Sequence, residues 1–346
     1  AVELGITLDG LLAQSYYGPC EIVVVGPGAD PGREQAESRA VRFIDDRGSR
    51  TRADACNVAL DETDSDLVMF TDDDVIVPPE WVSNLSRWFE RDEVAGVGGP
   101  NFAPPESSTL QQQIIDVSFC SRIFTAGTNY GRRGEVELEE VEQLPGVNSA
   151  YRRSVLEEVG GFPPGCIGAE DVVLDFRIRR DGGRLWTDRE AIMWHRRRDL
   201  SRVKKQIRNY GLVRTLANHE HRELRAWSHT LVALFPILVL GAFGFFFWGL
   251  ANGGLAWPEF WDIERVPMGW PRAGVHSLVS LIVLYNLIAW YGAAKGNSPC
   301  RTPQTVFLSS IATFALHWNY GMGVLQGWWR IFTGNSGLQI DDRSRD

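Results

Sequence analysis

Three consecutive carboxylates, Asp72, Asp73 and Asp74, are the residues of this sequence best suited to chemistry. They follow the apolar run Leu67–Phe70, which is typical of a buried strand. Open parallel sheets bind ligands at the carboxyl ends of their strands, and carboxylate oxygens suit Mg²⁺ or Mn²⁺ holding a diphosphate. Alternate side chains of an extended turn point the same way, so Asp72 and Asp74 are candidate ligands of one ion. A solvated acidic turn is the alternative explanation, since short motifs also arise by chance.

Glu170 and Asp171 form a second acidic pair, at the start of a predicted helix. A positioned carboxylate can take the proton of a hydroxyl group that attacks an electrophilic carbon, so this pair is a candidate catalytic base. Carboxylates also stabilise helix N-termini as caps, and capping alone is the simpler alternative. His195 ends a predicted short strand and is a candidate third metal ligand, although a single histidine is more often structural.

A predicted loop ahead of a further helix carries small and basic residues. Gly146, Asn148 and Ser149 are small enough to let the backbone approach a ligand closely. Arg152 and Arg153 are candidate partners of phosphate oxygens, although arginines at the start of a helix are more often surface residues. We therefore expect this loop to face a bound ligand.

Short apolar runs typical of buried strands alternate with helical periodicities through the first part of the chain. The predicted strands are Glu21–Val25, Arg42–Ile44, Leu67–Phe70 and Val94–Gly98, and the predicted helices include Val2–Gln14, Thr51–Leu60 and Glu170–Asp181. Strands alternating with helices indicate an α/β fold, with a mostly parallel sheet flanked by helices. Such a sheet brings the ends of its strands, and with them the acidic residues, to one edge.

Charged residues become rare after Arg225. No Asp, Glu, Lys or Arg occurs in residues 226–258, 273–294 or 302–329. Each stretch is long enough to cross a hydrocarbon core, which takes about 20 helical residues. We therefore predict a membrane region over residues 227–346 with two or three transmembrane helices, at about 229–250, 274–294 and 305–327. The third contains His317, Asn319 and Gln326, so an interfacial helix is its alternative.

A basic stretch precedes the first uncharged segment. Its cations are Arg196, Arg197, Arg198, Arg202, Lys204, Lys205 and Arg208. Cations beside a membrane span favour the cytoplasmic side and anionic lipid headgroups. We predict a basic amphipathic segment at the membrane interface over residues 201–226, and a merely solvated basic helix is the alternative.

The overall charge of the chain limits its partners. Its 346 residues carry 44 acidic and 35 basic side chains, which gives a formal net charge of −9 and a pI near 5.3. Binding to nucleic acid requires a basic surface, so no nucleic-acid partner is expected. The five cysteines are scattered without a CxxC pair, which favours reduced cytosolic thiols over a disulfide framework or a zinc site.

The order and spacing of these features resemble family 2 glycosyltransferases with the GT-A fold. The stretches that carry the resemblance are Leu4–Gln14, Glu21–Val25, Ala55-Cys56-Asn57, Val68–Val75, Gly146–Phe162 and Gly168-Ala169-Glu170-Asp171. They cover most of residues 1–200, which the resemblance implies to be the catalytic domain.

The resemblance also implies roles for single residues. The nucleotide-sugar donor would be bound by Asp72, Asp73, Asp74 and Asn57. A divalent metal, Mg²⁺ or Mn²⁺, would be held by Asp72 and Asp74, with His195 as the candidate further ligand. Asp171 would be the catalytic base, with Glu170 beside it. The predicted loop from Gly146 to Arg153 would face the acceptor and the sugar.

Four features depart from the family pattern. The family's first strand is absent, so we expect the native chain to begin upstream of the first residue given. Cys56 stands where the family often has an arginine, and Gly26-Pro27-Gly28 replaces an Asp-Asp-Gly that helps to hold the base. The identity of the nucleotide is therefore open. Gln206–Tyr210 does not match the Gln-x-x-Arg-Trp motif of processive synthases, which favours an enzyme that adds one sugar.

The membrane region favours an acceptor carried by a lipid. The sequence thus predicts an inverting hexosyltransferase that moves a sugar to a polyprenyl or dolichyl phosphate, or to a lipid-linked saccharide, in glycoprotein or envelope glycan assembly. We expect a multi-pass protein of the cell membrane, with its catalytic domain facing the cytoplasm. Two alternatives stay open: a membrane scaffold with a degenerate, non-catalytic transferase domain, and a metal-dependent phosphohydrolase.

Overall fold

The computed structural model combines an α/β part with a group of long C-terminal helices. It describes residues 2–121, 123, 125, 131, 133–225, 227–253 and 270–338. The helices of the α/β part are α1 (Val2–Leu12), α2 (Gly32–Glu37), α3 (Arg52–Asp61), α4 (Trp81–Ser86), α5 (Leu110–Phe119), α6 (Arg153–Glu158) and α7 (Glu170–Arg180). Short 3₁₀ turns lie at Arg87–Glu90, Pro105–Ser107 and Arg222–Leu224.

Ten strands form three sheets within the described residues. They are β1 (Val23–Gly26), β2 (Arg42–Asp45), β3 (Leu67–Phe70), β4 (Val75–Ile76), β5 (Val94–Gly98), β6 (Asn101–Phe102), β7 (Leu138–Val141), β8 (Ser149–Arg152), β9 (Arg184–Asp188) and β10 (Met193–His195). The largest sheet has the order β3-β8-β5-β9-β7, a smaller one has the order β4-β10-β6, and β1 pairs with β2. The expected α/β class is confirmed.

The sheets are mixed, which corrects the expectation of a mostly parallel sheet. Three of the seven described pairings are parallel and four are antiparallel. The main cause is β8, which lies antiparallel between β3 and β5 in a segment predicted to be a loop. Ser149, Ala150 and Tyr151 are all buried, so this strand lacks the alternation of polar and apolar residues by which a half-exposed strand is recognised.

The largest sheet is covered on its two faces by different clusters. On one face, Tyr151 and Phe70 pack with Phe162 and with Leu174 of α7, and the rings of Phe70 and Phe162 meet edge to face at 5.0 Å. On the other face, α4 contributes Trp81 and Leu85 to a second cluster. Because both faces are buried, the strand ends that carry the acidic residues are held rigidly.

Four longer helices complete the fold: α8 (Leu200–Glu220), α9 (Trp227–Gly253), α10 (Trp270–Lys295) and α11 (Pro303–Phe332). By length and composition, Leu231–Asn252 and His276–Lys295 are candidate membrane spans. The predicted third span corresponds to α11, which is not such a candidate among the described residues and packs along α8 and against α5. The connection between α9 and α10 and the predicted end of the membrane region lie outside the described residues.

Close packing of α8 on α11 depends on glycines. A Cβ atom added to Gly211 would lie 2.2 Å from the carbonyl oxygen of Tyr320, and one added to Gly323 would lie 1.9 Å from that of Arg208. Real Cβ atoms never approach so closely, so only glycine permits this separation of the two helices. The helix α8, which is rich in charged residues, therefore lies directly against α11, which has no charged residue before Arg330.

Gly323→Ala is expected to destabilise the protein, because α8 or α11 must move to admit the added methyl group. Overpacking of this kind costs about 1–3 kcal/mol. Gly241→Ala in α9 is the matched control, since nothing lies within 4 Å of its added Cβ atom and alanine favours a helix over glycine. Thermal unfolding of the full chain in detergent compares the two, and equal melting temperatures would disprove the close packing.

Candidate active site

An open cleft of about 2420 Å³ lies at the carboxyl ends of β1 and β3. Its walls come from α1, α7, α8 and α11, and the acidic residues predicted to do chemistry lie on its floor. Asp72, Asp73, Asp74, Glu170 and Asp171 all line it. The location agrees with the general rule that open α/β sheets bind ligands beyond the carboxyl ends of their strands.

Asp72, Asp74 and His195 come together in this cleft. One potential ligand atom of each lies within 4.8 Å of those of the others, and the His195 Nε2 atom is 3.2 Å from Asp74 Oδ1. The pairing of β10 with β4 sets this geometry, because it places His195 opposite Val75. The sequence predicted these three residues as metal ligands, and the fold brings them close enough to share one ion.

The carboxylates of the triplet are not equivalent. The hydrogen bond from His195 lowers the pKa of Asp74, although burial opposes this effect. Burial, together with the charge of Asp74, raises the pKa of Asp73. An ionised Asp74 suits a hard divalent metal such as Mn²⁺, which also accepts an imidazole ligand, whereas Asp73 lies outside the three-residue group.

Arg52, at the start of α3, lies between the two acidic groups. Its Nε atom is 3.4 Å from Asp72 Oδ1, its Nη1 atom is 3.5 Å from Glu170 Oε1, and its Nη2 atom donates to the carbonyl of Gly146 at 2.7 Å. Burial opposes its charge, but the surrounding thiol and carboxylates raise its pKa. Sequence reasoning missed this residue.

A helical signal could have identified Arg52. It lies one turn before Cys56, and residues four apart share a face of a helix. The family often has an arginine at the position of Cys56. Arg52 can therefore bring a guanidinium group to the same region from one turn earlier in the helix. Thr51 fixes the start of this helix, because its side chain accepts a hydrogen bond from the Asp54 amide at 3.1 Å.

The acidic pair at the start of α7 does not occupy the N-cap position. The cap position is occupied by Ala169, whose positive φ of 59° turns the chain into the helix without a side-chain hydrogen bond. Asp171 Oδ2 instead accepts from the Gly146 amide at 3.3 Å, across the cleft. Burial, and next the charge of Asp171, raise the pKa of Glu170, while Arg52 partly offsets this.

A second aspartate on α7, which sequence reasoning also missed, positions the same loop. Asp175 is fully buried, accepts from the Leu144 amide at 2.6 Å and receives the hydroxyl of Tyr151 at 2.8 Å. It lies four residues after Asp171 and so on the same face of the helix. The loop that carries Gly146 is thus held by two successive turns of α7.

Asn57, Asn148 and Ser149 do not line the cleft. The amide group of Asn57 is occupied by the backbone of Phe162, with both hydrogen bonds at 2.9 Å. The Asn148 side chain receives the indole N–H of Trp81 at 2.8 Å and donates to the carbonyl of Ala191 at 2.8 Å. These positions do not support the predicted ligand contacts, because side-chain amides in these places satisfy buried backbone groups instead.

Arg152 and Arg153 also point away from the cleft. Arg152 donates to the carbonyls of Phe89, Arg91 and Val94 at 2.7–2.8 Å. Arg153 donates to the carbonyls of Ser65 and Leu60 and to the hydroxyl of Thr63, at 2.7–2.9 Å. Both arginines join loops at the back of the sheet, so of the predicted loop from Gly146 to Arg153 only Gly146 and Val147 line the site.

Glu170→Gln is expected to stabilise the metal-free protein at neutral pH. The folded-state pKa of Glu170 lies above its ordinary value of 4.5, so the native state loses stability as pH rises from the unfolded pKa to the folded one. Removing the charge should therefore raise the free energy of unfolding at pH 7, and this gain should vanish below pH 4.5, where Glu170 is protonated in both the folded and unfolded states. Each kcal/mol shifts the melting temperature by roughly 1–2 °C in a chain of 346 residues.

Thermal unfolding in detergent and chelator, at neutral and acidic pH, measures this effect. Glu93→Gln is the control, because Glu93 is exposed and its replacement should have little effect at either pH. If Glu170→Gln and the unmodified chain melt together at neutral pH, the raised pKa is wrong.

Comparison with known proteins bears on what this site is. Residues 1–160 match the family model described as glycosyl transferase family 2. An O-antigen chain rhamnosyltransferase from Salmonella typhimurium is 24% identical over 196 residues, which are 54% of this chain and 60% of that protein. A glucosyl-dolichyl phosphate glucuronosyltransferase from Haloferax volcanii is 24% identical over 163 residues, which are 45% of this chain and 50% of that protein.

A solved structure also resembles this chain. It is the mannosyltransferase PcManGT from Pyrobaculum calidifontis in complex with GDP-Man and Mn²⁺, at 18% identity and a TM-score of 0.48, covering 94% of this chain and 84% of that one. This chain spans 50–60% of the length of the two curated relatives named above. Residues 1–160 therefore correspond to a family 2 glycosyltransferase domain, as the order of the sequence motifs predicted.

Proposed function

We propose that this protein is an inverting, metal-dependent glycosyltransferase that moves a sugar from a nucleotide-sugar donor to a lipid-linked acceptor. One observation carries the proposal: a single cleft contains both the acidic cluster of the α/β part and side chains of α9 and α11. Among the latter are Val232, Leu316 and Tyr320. A soluble acceptor would not need a cleft that extends onto a candidate membrane helix.

The two curated relatives support a lipid-borne acceptor. One is named for the O-antigen chain and the other for a glucosyl-dolichyl phosphate. The dolichyl phosphate in the second name is a lipid carrier, which fits an acceptor borne by a lipid in envelope glycan or glycoprotein assembly. The acceptor would be a polyprenyl or dolichyl phosphate, or a saccharide already carried by such a lipid.

The residues on the cleft floor fit a divalent metal. Two carboxylates and one imidazole, from Asp72, Asp74 and His195, offer the oxygen and nitrogen donors that Mg²⁺ or Mn²⁺ accepts. An ion held there would neutralise the diphosphate leaving group. The nucleoside would lie against β1 and Phe43, which line the cleft on the side of Gly26. No residue there distinguishes uridine from guanosine.

Asp171 is our candidate for the general base. Its Oδ2 atom faces the cleft beside Gly146, where it can accept the proton of an acceptor hydroxyl. The hydroxyl oxygen then bonds to the anomeric carbon from the face opposite the diphosphate, and the bond from that carbon to the diphosphate oxygen breaks. Arg52 would hold Glu170 and Asp72 in place on either side of this path.

The membrane arrangement follows the same proposal. α9 and α10 would cross the bilayer at Leu231–Asn252 and His276–Lys295, and α8 would lie at the interface. The cations Arg202 and Lys205 line the cleft on α8, where they would meet anionic headgroups on the cytoplasmic side. The catalytic domain would then face the cytoplasm, which supplies nucleotide sugars.

Asp74→Asn and His195→Ala are each expected to weaken Mn²⁺ binding by at least about tenfold. Replacing a residue that only hydrogen-bonds to a metal ligand already costs about that much affinity, and replacing a ligand itself should cost no less. Asp73→Asn removes the same charge from the neighbouring residue and should change binding much less, because Asp73 is not part of the three-residue group. Calorimetric titration of the full chain in detergent with Mn²⁺ alone measures both. An equal loss in Asp73→Asn would disprove the assigned ligands.

Membranes that contain the protein should transfer sugar from one donor of a nucleotide-sugar panel into the lipid phase, with Mg²⁺ or Mn²⁺ present. Chelator or Asp72→Ala should abolish this transfer. Release of free sugar or phosphate without lipid would instead indicate a phosphohydrolase. Folded protein that turns over no donor in the presence of native lipid would favour a degenerate scaffold.

Asp171→Asn is expected to lower kcat by at least about a hundredfold, within the range that general-base catalysis contributes. This holds for a hydroxyl acceptor, whose proton must be removed. A bare lipid phosphate is already largely ionised, because its second pKa is about 6. A loss of less than about tenfold would therefore contradict the base and identify a phosphate oxygen as the nucleophile.

A further inference from the structure

Arg214 on α8 is a half-buried cation without an anionic partner among the described residues. It lines the cleft, its Nη2 atom donates to the carbonyl of Leu224 at 3.2 Å, and its buried Nε atom has no hydrogen-bond partner. No carboxylate of the described residues forms an ion pair with it. A half-buried guanidinium group with an unsatisfied buried Nε atom is costly, so its position calls for an anion from outside the chain.

The surroundings of Arg214 are polar on one side and apolar on the other. Tyr320 of α11 and His229 of α9 share a hydrogen bond of 2.9 Å between hydroxyl and Nδ1, and their rings stack. The charge of Arg214 acts on both residues. Val232 and Leu316 continue the cleft along α9 and α11. An anionic group bound at Arg214 would thus lie next to an apolar surface on which a hydrocarbon chain can pack.

The electrostatics favour a strong anion. Burial lowers the pKa of Arg214, and Tyr320, Asp171 and Glu142 offset this only in part. The planar guanidinium group matches phosphate oxygens, with which it forms short charge-assisted hydrogen bonds. Because one proton is taken up by the hydrogen bond between Tyr320 and His229, the pair adds one further donor for the same oxygens, either the hydroxyl group or the ring Nε2–H.

We propose that Arg214, Tyr320 and His229 bind the phosphate group of a polyprenyl-phosphate acceptor, either bare or already linked to a sugar. The polyprenyl chain leaves this site along the apolar side chains of α9 and α11, and the reacting end of the acceptor points toward Asp171. This assignment rests on the proposed function, and it places the acceptor's phosphate at the membrane end of the cleft.

Farnesyl phosphate is a suitable probe, with the full chain in detergent and without donor. Arg214→Gln is expected to raise its Kd by about tenfold to a hundredfold, as the loss of a charged hydrogen bond predicts. Arg208→Gln is the matched control: it removes the same charge from the same helix, but Arg208 does not line the cleft and contacts Gln326. Its Kd should stay within about twofold of the unmodified chain.

Farnesol, which lacks the phosphate, separates phosphate recognition from packing. Its weaker binding should be the same in Arg214→Gln and the unmodified chain. Tyr320→Phe keeps the ring and removes the hydroxyl group, so it should raise the Kd of farnesyl phosphate severalfold. Its melting temperature should stay that of the unmodified chain, which excludes misfolding as the cause. The proposal is overturned if Arg214→Gln binds farnesyl phosphate normally, or if farnesol binding falls by the same factor.

A bilayer headgroup could supply a phosphate as well. If dioleoyl phosphatidylglycerol displaces farnesyl phosphate at equal concentration, the site recognises a phosphodiester headgroup and the acceptor assignment is wrong. Failure of the proposed function gives a different pattern. Arg214-dependent binding without turnover of any donor would keep the site and reject the transferase, whereas lipid-dependent transfer with Arg214-independent binding would do the opposite.

Discussion

One buried carboxylate connects the α/β part of this protein to its long helices. Asp116 of α5 is fully buried and accepts from Arg197 at 2.7 Å, from the amide of Ala103 at 2.9 Å and from the hydroxyl of Ser298 at 2.6 Å. Ser298 belongs to the turn between α10 and α11, and Arg197 follows His195 by two residues. Breaking a buried pair of this kind costs about 3–5 kcal/mol, because the remaining charge has no compensation. The end of β10 that carries His195 and the turn between two long helices are therefore fixed to the same side chain.

The rest of the cleft depends on that connection. The chain leaves Arg197 and begins α8 three residues later, with Asp199 as its cap. The close approach of α8 and α11 at Gly211 and Gly323 then transmits the position of the α/β part to the long helices. Rigid elements hold reactive groups more accurately than loops do. An acceptor bound between α8, α9 and α11 would thus meet the acidic floor at a distance that the fold determines.

The sequence predicted the parts of the site whose signal is local, and missed those that depend on contacts between distant segments. The Asp triplet follows an apolar strand and the Glu-Asp pair starts a helix, so both could be placed. Asn57, Arg152 and Arg153 have the residue types of ligand contacts, but backbone carbonyls and amides of remote loops take their hydrogen bonds. The direction of β8 was equally hidden, because a strand buried on both faces shows no alternation. Arg52 could have been found from its helical spacing to Cys56.

Compensation of negative charge by neighbouring side chains and amides explains why the floor of the cleft can form without a ligand. Carboxylates that share a pocket repel one another, and burial adds to this cost, as the raised pKa values of Asp73 and Glu170 show. The fold offsets the repulsion locally: His195 donates to Asp74, Arg52 lies between Asp72 and Glu170, and backbone amides meet Asp171. These partners hold the acidic groups in place while leaving the cleft open. Arg52 is the most important of these partners, because from the start of α3 it lies beside both Asp72 and Glu170. Cys56 occupies the position at which the family often has an arginine, so Arg52 is the residue that brings a positive charge to this region.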